Sequence, residues 1–72
     1  MGLPLGADLR SLRAATNRTQ DEVGRMCNCS RGLISLVERE LYDQVSDAAL
    51  ARIRLACEAM RAELESKLET VA

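Results

Sequence analysis

Histidine, tryptophan and phenylalanine are missing from this chain, and Tyr42 is its one aromatic residue. Without aromatic side chains the core must be built from Leu, Ile, Val, Ala, Met and Cys, which suits small helices packed closely together. Without histidine, and with no Gly-rich phosphate loop or nucleophile beside a base, the chain lacks the usual catalytic equipment, and 72 residues leave little room to enclose a substrate. No enzyme is expected, and no cofactor. No apolar run is long enough to span a membrane, and the Met1 to Gly6 stretch has neither the basic start nor the apolar length of a signal peptide. A cytoplasmic protein is the expectation.

Basic excess is also lacking. The formal net charge is −1, which argues against a general nucleic-acid coating protein. The charges are nevertheless unevenly spread: residues 1–39 carry Arg10, Arg13, Arg18, Arg25, Arg31 and Arg39 against Asp8, Asp21, Glu22 and Glu38, whereas residues 40–72 hold four bases against seven acids. All the bases but Lys67 are arginine, whose planar fork matches phosphate oxygens and the guanine edge. Cysteines number three, not the even set of a bridged secreted scaffold. Cys27, Cys29 and Cys57 fit core packing better than zinc, which normally takes four ligands, so no metal is expected.

What is present reads as helices throughout. Leu5, Leu9, Leu12 and Ala15 or Thr16 lie at helical spacing, predicting a first helix from Pro4 or Gly6 to Thr16, ended by Asn17. Thr19 with Glu22 forms a capping box that opens a second helix over Gln20 to Cys27, with Val23 and Cys27 as its apolar face and Gly24 leaving room for close approach. Asn28 suits a left-handed exit, Cys29 a small buried anchor, and Ser30 caps a third helix, Arg31 to Glu40, whose buried face is Ile34 and Val37. After a loop from Leu41 to Val45, Ser46 caps a long fourth helix, since Asp47 to Glu69 contains neither Gly nor Pro. The fold class predicted is all-α: a small helix-turn-helix domain of four or so helices with a long C-terminal helix, one domain of marginal stability that oligomerisation would help.

The Thr19-Gln20 opening, the small Gly24, the polar turn Asn28-Cys29-Ser30, the Ile34-Ser35 pair and the closing Val37-Glu38-Arg39 resemble the helix-turn-helix of Cro- and lambda-repressor-like regulators, the XRE family, over roughly Leu9 to Met60. The departures are Arg18 in place of an apolar residue, Asn28 in place of the turn glycine, and Glu40 to Val45 without the customary Gly and Pro. That last loop carries two acids and no base, so its usual phosphate contact is not carried over.

The resemblance implies a buried bridge between Arg13 and Glu38. It also implies that the second helix crosses the phosphate backbone while the start of the third enters the major groove. Gln20 would then contact phosphate, aided by Ser30, Arg10, Arg18 and Arg39, while Arg31, Gly32, Ser35 and Leu36 would face the bases. Arg31 is the best base reader, because its fork bridges guanine O6 and N7; Leu36 suits a thymine methyl, and Gly32 offers no side chain at all. The plain alternatives are that Arg31 touches only phosphate, Leu36 covers the core edge, and Ser35 bonds its own helix.

Domain organisation follows from the long helix. Residues 1–58 are assigned to the DNA-binding domain and 59–72 to an extension of the last helix; Cys57, Met60, Leu64, Leu68 and Val71 mark a seam for a coiled coil or an antiparallel helix pair. The alternative is one long helix with a frayed end. The expected function is sequence-specific binding of double-stranded DNA, an inverted repeat read by a homodimer, as a small regulator and most simply a repressor of phage, plasmid or restriction-modification type. The competing class is a protein-interaction module, an antitoxin or assembly factor that binds through its acidic C-terminal helix.

Overall fold

The computed structural model describes residues 2–71, with side chains as far as residue 68. Four α-helices and one 3₁₀ turn follow in order: α1 (Leu5–Ala15), α2 (Gln20–Met26), α3 (Arg31–Glu38), the 3₁₀ turn (Tyr42–Gln44) and α4 (Asp47–Val71). No strand occurs among the described residues, in keeping with the all-α expectation.

Local side-chain chemistry sets the helix starts. The Thr19 hydroxyl accepts the Glu22 N–H at 3.1 Å while the Glu22 carboxylate accepts the Thr19 N–H at 2.9 Å, a complete capping box. Ser30 Oγ accepts from Leu33 N–H and Ser46 Oγ from Ala49 N–H, each at 3.1 Å, opening α3 and α4.

The helix ends share one device. Asn17, Asn28 and Glu40 adopt left-handed backbones with φ of 58°, 55° and 63°. After each, the next N–H folds back five residues: Arg18 to the Arg13 carbonyl at 2.9 Å, Cys29 to Gly24 at 2.8 Å and Leu41 to Leu36 at 2.9 Å. These closures trim the expected helices. The first stops at Ala15 rather than Thr16, the second at Met26 with Cys27 as cap, and the third at Glu38 with Arg39 as cap, because Glu40 has left the helix. The expected loop from Leu41 to Val45 contains the 3₁₀ turn.

One core joins all four helices: Leu9 and Leu12 from α1, Val23 from α2 with its cap Cys27, Ile34 and Val37 from α3, Val45, and Ala49, Ile53, Ala56, Cys57 and Met60 from α4. Two close approaches make this compact. Gly24 sits where a Cβ would come within 2.5 Å of the Cys29 carbonyl, so the turn folds tightly over α2. Gly6 is buried against the Val37 carbonyl, and its N–H donates to Tyr42 Oη at 2.9 Å, tying the start of α1 to the turn after α3. Cys29, expected as a buried anchor, is half-buried.

The seam drawn for a partner is corrected at two of its residues. Cys57 and Met60 are 2% and 0% exposed inside this chain's own core, which therefore runs past residue 58. Leu64 still packs against it, and Leu68 lies beyond it at 73% exposure. The Val71 side chain falls outside the described residues.

Candidate nucleic-acid interface

The buried face of α3 consists of Ile34, Val37 and Glu38, which leaves Arg31, Gly32 and Arg39 exposed on the other side, with Ser35 and Leu36 half-buried at its margins. No other element covers that face among the described residues. Arg31 has no hydrogen-bond or ion-pair partner there, so its guanidinium is uncommitted. Beside it a shallow depression is lined by Arg13, Asn17, Arg18, Thr19, Gln20 and Arg31, with Ala14 and Asp21 completing the wall. The end of α1 and the starts of α2 and α3 thus meet in an arginine-lined hollow.

Glu38 organises this surface from below. Its side chain is 4% exposed, and Arg13 forks onto it: Nε donates to Oε2 at 2.7 Å and Nη2 to Oε1 at 2.9 Å. The third arm of the fork, Nη1, donates to the Arg18 carbonyl at 3.2 Å, so one guanidinium links α1, α3 and the turn before α2. Gln20 Nε2 donates to Glu38 Oε1 at 3.3 Å, and Arg10 Nη2 donates to the Glu38 carbonyl at 2.9 Å. Burial pushes the Glu38 carboxyl up, but hydrogen bonds from Arg13 and Gln20 and the charges of Arg13 and Arg10 outweigh it and hold it below the usual glutamate range. Arg13 is raised in turn, chiefly by its hydrogen bond to Glu38.

The residues named from sequence are therefore distributed unequally. Arg13 and Glu38 are joined, and Gln20 and Arg10 lean on the same carboxylate residue. Arg10 keeps a side chain 63% exposed even while it donates to the Glu38 carbonyl. Ser30 spends its hydroxyl capping α3. Arg39 Nε reaches back to the Ser35 carbonyl at 3.4 Å, and Leu36 lies partly against the core. Arg18 lines the hollow too, but its Nη2 pairs with Glu63 of α4 at 3.0 Å, so its charge is spent on bracing α4. Gly32 faces open space, with nothing nearer to a Cβ than Ser30 Oγ at 3.7 Å.

Asn17 was not anticipated as a wall of the hollow. Its residue type signals a helix stop, and only the fold brings it beside Arg31. The cysteines stay clear of this surface. Burial pushes the Cys27 and Cys57 thiols up to about 11. Among the described residues no group of His, Cys, Asp and Glu side chains is arranged to hold a metal ion, and no helix is long and apolar enough to cross a membrane.

Compared with known proteins, the chain is matched over residues 4–66 by the family model described as a helix-turn-helix domain. Nothing matches among the curated proteins or the solved structures.

Proposed function

The chain belongs to the helix-turn-helix domain family, and from that membership we propose that it binds double-stranded DNA sequence-specifically as a small transcriptional regulator, with α3 in the major groove. The observation that carries this reading is the open face of α3: an uncommitted Arg31 beside an arginine-lined hollow, with every carboxylate near it engaged. Glu38 is held by Arg13 and Gln20, and Asp21 pairs with Arg25 at 3.1 Å. In this reading Arg31 forks onto a guanine edge, Ser35 and Leu36 flank it, and Arg10, Gln20 and Arg39 meet phosphates. The Cro- and lambda-repressor-like character rests on the Thr19-Gln20 opening, Gly24 and the Arg13–Glu38 pair. A homodimer on an inverted repeat, acting in the cytoplasm as a repressor by occupying a promoter, is the simplest mode for so small a reader.

The test is selection of a binding site from random duplexes followed by titration of Arg31→Ala on the selected site and on scrambled DNA. The variant is expected to lose about 1–3 kcal/mol on the selected site and relax preference at one base position. Equal losses on both duplexes would make Arg31 a backbone holder, and no enrichment of any duplex would end the DNA reading.

A further inference from the structure

The side of α4 turned away from the core is left without a covering element among the described residues. Ala48, Ala51, Leu55, Ala59 and Ala62 follow one another at three- and four-residue steps along it, all exposed, and Leu55 is 64% open to solvent. The adjoining flank carries Arg54, Glu58, Arg61 and Glu65, charges of alternating sign. We propose that a second copy of this chain docks antiparallel on this face, with the two-fold axis passing near Ala59. The inference rests on the homodimeric reading above and replaces the seam through Cys57 and Met60 with a different surface.

The charges choose both the occupant and its direction. In a two-fold contact residue i meets j while j meets i, so a self-docking face must complement its own reverse. About an axis near Ala59, Arg54 of one copy comes level with Glu65 of the other to within one residue's rise, ~1.5 Å, and Glu58 comes level with Arg61 by the same margin. Each positive charge thus meets a negative one, twice over by symmetry. A parallel pair would put this flank and its copy on opposite sides of the seam, so the four charges could not meet one another. Arg54, Glu58 and Glu65 make no side-chain hydrogen bond or ion pair within the chain among the described residues; the charge of Glu65 acts on Arg61, whose guanidinium is held by Asp8 at 2.7 Å. The apolar stripe agrees with the same register. Leu55 comes opposite Ala62 of the second copy, a large side chain over a small one, so neither helix must bend to accept the other.

Sedimentation of the full chain across the micromolar range tests this. Wild-type protein is expected to shift from monomer to dimer with concentration. Leu55→Glu should weaken the dimer at least about tenfold, as burying an unpaired charge does, while leaving helicity unchanged because the site is exposed in the monomer. Arg54→Glu and Glu65→Arg should each weaken association about three- to tenfold, and the double variant should recover most of it, as coupled pairs do. A strict monomer at every concentration, a dimer indifferent to Leu55→Glu, or a double variant no better than the singles would overturn the proposal. Titration on an isolated half-site separates this from the DNA reading: Leu55→Glu keeps half-site binding, whereas a wild-type chain that dimerises through Leu55 and binds no duplex supports the face and removes the regulator.

Discussion

At Gly32, α3 gives up side-chain reach and helix propensity together. The position is exposed and a Cβ would meet nothing closer than 3.7 Å, so no contact within the chain requires a glycine. Gly32→Ala is therefore expected to raise stability by about 1 kcal/mol, measured as a higher thermal midpoint; a lower midpoint would show the space to be occupied. Glu38 is the opposite case. Removing its carboxylate strands Arg13 in a largely buried site, so Glu38→Ala should destabilise by about 3–5 kcal/mol. Since the folded carboxyl is held below its ordinary value, its contribution is complete above the unfolded glutamate pKa of about 4.3 and fades as the pH falls through that value toward the lowered one. Melting curves between neutral and acid pH should show this loss in the wild type and a shallower one in Glu38→Ala.

Among the elements, α4 carries the sharpest stability forecast. Met60 lies fully inside the core, two residues beyond the boundary at residue 58, so Met60→Ala should cost about 2–5 kcal/mol in denaturant unfolding. A neutral Met60→Ala would return the residue to a partner-facing role. The sequence made helix starts legible because caps are local: Thr19 with Glu22, Ser30 and Ser46 each satisfy an N–H three residues away. The ends at Asn17 and Asn28 were legible because asparagine tolerates left-handed backbone. Glu40 was hidden, since nothing in a glutamate announces φ of 63°, and the third helix was drawn two residues too long. Gly6 and Tyr42 were hidden for another reason: 36 residues separate them, and no periodicity encodes a hydrogen bond across that interval. The Arg18 pairing with Glu63 is equally nonlocal, so its turn toward α4 had no sequence signal.

Over the whole molecule, charge and shape divide the labour. The helices of the arginine-rich half present the open hollow, while the acid-rich half is mostly α4, whose outer flank balances its own signs. The three left-handed exits have a consequence for how such a reader would meet its target. Each connection between α1, α2 and α3 is short and its hydrogen bonds are already closed, so the proposed reading surface arrives finished instead of condensing on contact. Little ordering entropy remains to be lost at the groove, and discrimination between duplexes falls to how well the duplex bends to a stiff probe.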